Sequence, residues 1–140
     1  MGETCRMSGP CPCGSEKSLE DCCAPYINGA AHPKTPGQLM RSRYTAYALG
    51  GHGDYLLATW FPATARGLTP EALSKRDREW TRLQIVDKQQ RGDQGFVEFK
   101  AYYREGDGEE HIMHEKSVFQ RSGGRWLYVG GEVTSAPSGD

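Results

Sequence analysis

The longest helical pattern in the chain begins near residue 38. From Gln38 onward, Met40, Tyr44 and Tyr47 stand at i, i+4 and i+7, the spacing that places side chains on one face of an α-helix. Two glycines follow at positions 50 and 51, and glycine is common just beyond a helix C-terminus. The pattern therefore predicts an amphipathic helix that ends at this glycine pair.

A second, shorter helix is predicted after the glycines. Asp54 has a side chain suited to an N-cap, and Leu56 and Trp60 share a face beyond it. Pro62 interrupts the spacing and is expected to end this helix.

The third helical signal is a helix start. Thr69 can act as N-cap, Pro70 suits the first helical position and Glu71 places an acid in the first turn. We expect this helix to run to about Arg78. The charges of residues 75–79, KRDRE, alternate in sign and are interpreted as its solvated end.

Beyond Trp80 the hydrophobic period falls to two, as Leu83 and Ile85 alternate with polar residues. Three turn signals divide the rest of the chain into four runs rich in Val, Phe, Tyr, Ile and Trp. These runs predict a four-stranded antiparallel meander. The turn signals are Arg91-Gly92-Asp93, Gly106-Asp107-Gly108 and Gly123-Gly124.

The second predicted strand shows that one face of the sheet must be covered by other elements. Val97, Phe99, Ala101 and Tyr103 alternate with more polar residues, so one face is apolar. The preceding helices can cover it, which predicts an α+β domain with helices packed on a curved four-stranded antiparallel sheet. A sheet that wraps a long helix can enclose a pocket.

Composition narrows the class of protein. The chain of 140 residues has 36% hydrophobic and 25% charged residues and a net charge of −1, so neither disorder nor a membrane span is expected, and nucleic-acid binding is disfavoured. The segment MGETCRMSGP lacks the apolar core of a secretory signal. We therefore expect a cytoplasmic protein.

Four of the five cysteines lie in the run CPCGSEKSLEDCC at residues 11–23. Cysteines gathered at one end cannot form a disulfide framework, so a metal site is favoured. Gly14 allows a sharp turn after the first pair, and Ser18 with Asp21 resembles a capping box that leads into the second pair. The predicted ligands are Cys11, Cys13, Cys22 and Cys23.

Four thiolates complete the tetrahedron that zinc prefers and leave no position for substrate water, which predicts a structural ion. Iron is the runner-up metal because thiolates also suit it. Two alternatives stay open: buried cysteines without metal, and thiol redox chemistry at the Cys-x-Cys pair. Cys5 lies outside the pattern and is expected to be a free thiol.

This cysteine run resembles the SEC-C motif, a zinc-binding element found at the end of the translocase motor SecA. The run PYINGAAHPKTPGQLMRSRYTAYALG, then DYLLATWFP, EW, HEKSVF and GRWLYVGG, is similar to the YchJ family of bacterial proteins. The resemblance covers nearly residues 10–131 and implies a nuclear-transport-factor-like cone, without implying a reaction.

The chain departs from these relatives in two ways. Many YchJ proteins carry a second cysteine motif at the C-terminus, whereas this chain ends in TSAPSGD. The SecA motif is rich in lysine and docks an acidic chaperone, but here Glu16, Glu20 and Asp21 outnumber Lys17. Four thiolates on zinc add about two negative charges, so docking of that kind is disfavoured.

The cone resemblance suggests residues for a pocket. The candidates are Tyr44, Tyr47, Trp60, Trp80 and Glu115, although aromatic residues at helical spacing are more often core. His114 and Glu115 are neighbours on a strand and must point to opposite faces. Glu115 is the weak catalytic candidate, because related cones include isomerases and dehydratases that use a buried acid; exposed pairing with a basic neighbour is the alternative.

Two arginines lie in the first predicted helix. Arg41 and Arg43 can bind a phosphate or a carboxylate. A solvated helix face or a salt bridge explains them equally well.

The domain boundaries follow from these segments. We predict a zinc knuckle at residues 1–25, a cone domain at 26–133 and a disordered tail at 134–140, with an extended connector from Ala24 to Gly37. The leading hypothesis is a small binding or adaptor protein whose cone holds an unidentified small ligand or protein partner. An isomerase- or dehydratase-type enzyme is the first alternative and a thiol redox protein the second; a homodimer is possible in each case.

Overall fold

The computed structural model describes residues 10–74, 78–105 and 108–137 of the chain. Its first part carries four α-helices and two short 3₁₀ turns, and its second part is a sheet. The helices are α1 (Ala24–Ile27), α2 (Pro36–Leu49), α3 (Gly53–Ala58) and α4 (Pro70–Leu73), and the turns are Leu19–Asp21 and Pro62–Thr64.

Helix α2 forms as predicted but begins earlier. Thr35 is its N-cap and accepts a hydrogen bond from the Gln38 backbone N–H, with Pro36 at the first helical position. Gly50 ends the helix with φ 73°, a conformation that glycine adopts without strain. The helix is buried on more sides than a simple amphipathic pattern predicts.

The predicted N-cap of helix α3, Asp54, is wrong. Its N-cap is His52, and Asp54 lies in the first turn. The Gly53 N–H instead donates to Ser74 Oγ at 2.8 Å, just beyond the end of α4. A Cβ at Gly53 would lie 1.8 Å from the Pro70 carbonyl oxygen, so the close approach of α4 supplies the cap in place of the local sequence.

Helix α4 is shorter than predicted. It ends at Leu73, Ser74 forms a turn, and Glu79 already belongs to the first strand. The Arg78 guanidinium lies 4.4 Å from the centre of the Tyr103 ring. The interpretation of residues 75–79 as a solvated helix end is therefore wrong for residues 78 and 79, and residues 75–77 lie outside the described part of the chain.

The sheet confirms the predicted meander. Its four antiparallel strands stand in the order β1-β2-β3-β4, so each pairs with its sequence neighbour. Register shifts interrupt the pairing of β1 with β2. A further register shift interrupts the pairing of β3 with β4 between Val118 and Phe119. Such irregularities bend a sheet. The strands are β1 (Glu79–Arg91), β2 (Gln94–Arg104), β3 (Glu110–Ser122) and β4 (Arg125–Pro137).

The core lies between α2 and the concave face of the sheet. Val97, Phe99, Ala101 and Tyr103 are all buried, as their alternation predicts. The fold is thus the expected α+β arrangement of helices on a curved antiparallel sheet. Within the described residues, no helix is long and apolar enough to cross a membrane.

Two predicted segments are corrected. Strand β4 continues to Pro137 and pairs with β3 as far as His111, so residues 134–137 are not a tail; residues 138–140 lie outside the described part. The expected connector begins with α1. The predicted boundary after residue 25 therefore falls inside a helix, because Pro25 fits the first turn of α1.

We predict that Gly95→Ala destabilises the fold. A Cβ at Gly95 would lie 2.2 Å from Pro36 Cγ and 3.2 Å from Trp126 Cζ3, so the start of α2 would have to move away from the sheet. We expect a loss of about 1–3 kcal/mol in the free energy of unfolding, the usual cost of overpacking. Denaturant titration measures it.

The matched control is Gly130→Ala, because a Cβ there meets nothing within 4 Å. We expect a change within about 0.5 kcal/mol. Equal stability losses in the two variants would contradict the packing argument.

Candidate metal centre and buried cavity

The four clustered cysteines bring their sulfur atoms together. All four Sγ atoms lie within 4.8 Å of one another. The distance from Cys22 Sγ is 3.6 Å to Cys13 Sγ and 3.9 Å to Cys23 Sγ. A tetrahedron with metal–sulfur bonds of about 2.3 Å has edges of about 3.8 Å, so the cluster has the size of a four-thiolate site and can hold one metal ion.

Local backbone structure creates this cluster. Gly14 turns the chain after the first pair with φ 80°, and its N–H donates to the Cys11 carbonyl at 3.1 Å. Ser18 caps the next 3₁₀ turn by accepting from the Asp21 N–H at 3.2 Å, as the capping-box pattern predicts. Cys22 follows this turn as its C-cap, which places its side chain in the cluster.

The neighbouring thiols of the cluster shift one another's pKa values. Hydrogen bonds from neighbouring thiols, chiefly from Cys11, lower the pKa of Cys13. Burial raises the pKa of Cys22, whose Sγ lies 3.0 Å from Ser15 Oγ. Four thiolates this close together repel one another, so a bound cation is needed to hold all four.

The cysteine segment packs directly on helix α2. Cys11 and Cys13 are buried and share a core with Leu39 and Met40 of that helix. Arg41 Nη1 donates to the Cys13 carbonyl at 2.8 Å. Arg41, for which the sequence predicts a ligand contact, a solvated face or a salt bridge, thus links α2 to the cysteine segment. Cys5 lies outside the described residues.

On the other side of α2, helix and sheet line a cavity of about 370 Å³ that is partly open to the surface. All five residues proposed for a pocket lie on its wall. They are Tyr44, Tyr47, Trp60, Trp80 and Glu115.

Glu115 projects into this cavity from β3 and is only 6% exposed. Its Oε2 accepts hydrogen bonds from Tyr128 Oη at 2.6 Å and from Ser117 Oγ at 2.7 Å. A Cβ at Gly131 would lie 2.7 Å from the same oxygen, so glycine leaves room for the carboxylate. His114 Nε2 contacts Glu98 Oε2 at 2.7 Å, and the alternating strand geometry places the His114 and Glu115 side chains on opposite faces.

Arg43 is a buried cation on the same wall. It is 4% exposed, and its Nη1 donates to the Leu56 carbonyl and to Thr59 Oγ1, each at 2.7 Å. Burial lowers the pKa of Arg43, although arginine stays protonated in proteins. The solvated helix face is therefore wrong for Arg43, because α3 lies over it.

Arg43 and Glu115 do not form an ion pair with each other within the described residues. Tyr128 contacts both of them instead. Its ring centre is 4.8 Å from the Arg43 guanidinium, while its hydroxyl donates to Glu115. Burial, followed by the charge of Glu115, raises the pKa of Tyr128, so the hydroxyl keeps the proton that it donates.

Trp60 adds an unused donor to the cavity wall. Two backbone hydrogen bonds of 2.8 Å join its neighbours Thr59 and Phe61 to Tyr128 of β4. The Trp60 ring lies 4.8 Å from the Arg43 guanidinium. Its Nε1 is buried and has no hydrogen-bond partner among the described residues.

Sequence reasoning named Arg43 as a candidate for binding an anion but did not place it in the cavity, and it missed Ser117 and Tyr128. Ser117 shares strand parity with Glu115, and Arg43 lies within the helical stripe of Met40, so the sequence pattern carried a signal for both. Tyr128 could not be placed from alternation, because the strand register shifts nearby.

Comparison with family models matches residues 35–131 to the family described as YchJ, middle NTF2-like domain, and residues 7–25 to the SEC-C motif. The chain belongs to the YchJ family. Both resemblances stated from the sequence are therefore confirmed.

Relatives of known family and one solved structure support this family membership. UPF0225 proteins from Serratia proteamaculans and Deinococcus radiodurans are each 43% identical to this YchJ-family chain; the alignments cover 86% of it and 81% and 86% of the relatives, respectively. The chain also resembles the solution structure of RPA3114, a SEC-C motif containing protein from Rhodopseudomonas palustris. That comparison has a TM-score of 0.80 and 36% identity, and covers 87% of this chain and 96% of the other.

Proposed function

We propose that this YchJ-family protein binds a small organic ligand in the cavity between α2 and the sheet. The observation that carries the proposal is a buried cation, Arg43, and a buried anion, Glu115, on one cavity wall without an ion pair between them. Burying a charge without a charged partner is costly. Proteins tolerate that cost where the groups serve a ligand.

The size of the cavity supports a small molecule over a protein segment. Its volume of about 370 Å³ lies near the lower end of the range of small-molecule sites. Aromatic and sulfur-containing side chains line most of the wall, as is usual in sites that exclude water around a few polar groups.

We also propose that Cys11, Cys13, Cys22 and Cys23 hold one zinc ion. The compact sulfur cluster and the chemistry of thiolate ligands support this assignment. The ion would stabilise the fold of the cysteine segment and its contact with α2, with no open position for substrate. Iron is the alternative metal.

Protein purified without chelator should contain about one zinc per chain by elemental analysis. In the native state, thiol titration should leave the four clustered cysteines protected. Cys13→Ser should lose the metal and more than about 3 kcal/mol of stability, because the binding energy of a structural zinc is folding energy. Chemical denaturation of metal-loaded samples measures the loss.

Cys5→Ser is the control and should retain full metal content, with stability changed by no more than about 0.5 kcal/mol. Iron in place of zinc would correct the identity of the metal. Metal-free protein with freely reactive clustered thiols would reject the metal site and support the redox alternative.

A cavity-filling variant tests the ligand site. Ala101 lines the cavity from β2, and Ala101→Leu should occupy part of the space where a ligand lies. We expect at least tenfold weaker binding of any small molecule that shifts the NMR signals of cavity residues in the original protein. Titration by two-dimensional NMR measures both affinity and location.

Val86→Leu is the matched control, since Val86 is 47% exposed and does not line the cavity. Binding that is equal in the two variants would place the ligand elsewhere. A library of small molecules that shifts no cavity signal would count against the proposal.

An acid–base enzyme is the second candidate function. The hydrogen bond of 2.6 Å between Tyr128 Oη and Glu115 Oε2 at the cavity wall supports it, because a carboxylate beside a hydroxyl can move a proton to or from a bound molecule. This arrangement suits proton transfer of the isomerase or dehydratase type.

For any turnover found with a cavity ligand, Glu115→Gln should lower kcat by about 100-fold or more, the usual contribution of a general base. Glu98→Gln, which alters a carboxylate paired with His114, should leave kcat unchanged. If Glu115→Gln retained full turnover, the enzyme assignment to this residue would fail.

A further inference from the structure

The arrangement of charges in the cavity indicates the chemical class of its ligand, an inference that rests on the proposed function. We propose that the cavity binds a compact zwitterion with an apolar body, of the amino-acid type. Its carboxylate would pair with Arg43 and its ammonium group with Glu115.

The first argument is charge balance. Arg43 is 4% exposed and Glu115 is 6% exposed, and no ion pair joins them within the described residues. A ligand with only one charge would pair with one group and leave the other buried without a charged partner. A zwitterion pairs with both, which avoids the cost of an unpaired buried charge. Arg78, the other charged residue on the wall, already lies 3.7 Å from Glu105 Oε2.

The second argument is that Tyr128 contacts both charged groups. The Arg43 guanidinium lies over its ring, and its hydroxyl donates to Glu115. The two charged groups therefore share one aromatic neighbour and, within the described residues, form no ion pair with each other. A zwitterion that carries its two charges a few bonds apart suits two such neighbouring groups.

Hydrogen-bond donors remain available on the cationic side. The Arg43 bonds to Leu56 and Thr59 both use Nη1, whereas a guanidinium carries five N–H donors. The buried Trp60 Nε1 has no partner among the described residues and belongs to a ring beside that guanidinium. The remaining N–H groups of the guanidinium suit the two oxygens of a carboxylate.

The remaining wall favours an apolar body of limited size. Met40, Trp80, Phe99 and Met113 line it and offer no charge to a ligand. A volume of about 370 Å³ holds about a dozen groups of the size of a water molecule, at about 30 Å³ each. Phenylalanine has that number of non-hydrogen atoms and is a suitable probe.

Three probes with the same phenyl body separate the contributions of the charges. They are L-phenylalanine, 3-phenylpropanoate, which lacks the amine, and 2-phenylethylamine, which lacks the carboxylate. Calorimetry with the metal-loaded full chain should give phenylalanine at least tenfold tighter binding than either single-charge probe. Glu115→Gln should remove most of the advantage of phenylalanine over phenylpropanoate, and Glu98→Gln should leave it unchanged.

If either single-charge probe bound as tightly as phenylalanine or more tightly, the zwitterion assignment would be overturned. This comparison uses only the original protein, so it does not depend on the folding of any variant. Binding of the neutral probe 3-phenyl-1-propanol with none of phenylalanine would overturn the ligand class and leave the cavity as a ligand site. Absence of binding by all four probes, together with a wider library that shifts no cavity signal, would overturn the proposed function itself.

Discussion

The fold depends on the burial of helix α2, in which three consecutive polar side chains find partners in the cysteine segment and in α3. Arg41 bonds to the Cys13 carbonyl in the cysteine segment. Ser42 is fully buried and lies 2.6 Å from the Tyr55 hydroxyl in α3, where burial raises the pKa of Tyr55 to about 12. Arg43 bonds to the end of α3 and borders the cavity. A buried polar group without a partner costs about 1–3 kcal/mol, so these three contacts fix the rotation of the helix about its axis.

That rotation connects the two candidate sites. Residues 41 and 45 face the cysteine cluster, where Thr45 Oγ1 lies 3.6 Å from Cys11 Sγ, while residues 43, 44 and 47 line the cavity. These positions form neighbouring stripes on one helix. The energy that the proposed metal ion supplies to the cysteine segment would therefore also stabilise one wall of the cavity, although the metal itself touches no ligand.

The elements predicted well were those that depend on local periodicity. The spacing of Met40, Tyr44 and Tyr47 predicted both the helix and the face that borders the cavity, and strand alternation predicted the buried side of β2. The errors lie where distant segments decide local structure. Ser74 provides the hydrogen bond that was assigned to an Asp54 cap. The shifted register of β3 and β4 reverses the alternation that would have placed residue 128, since one extra residue in a strand exchanges its two faces.

Arg43 shows how a departure from pattern can carry functional information. It follows Met40 by three residues and precedes Tyr47 by four, so it lies inside the apolar stripe and not beside it. A surface interpretation of such a charge conflicts with the helix that the same stripe predicts. The conflict is resolved by α3, which covers the arginine and accepts hydrogen bonds from only one of its three nitrogens. Since local rules fail most often at functional sites, the donors left over at this position are the strongest physical reason to look for a ligand in the cavity.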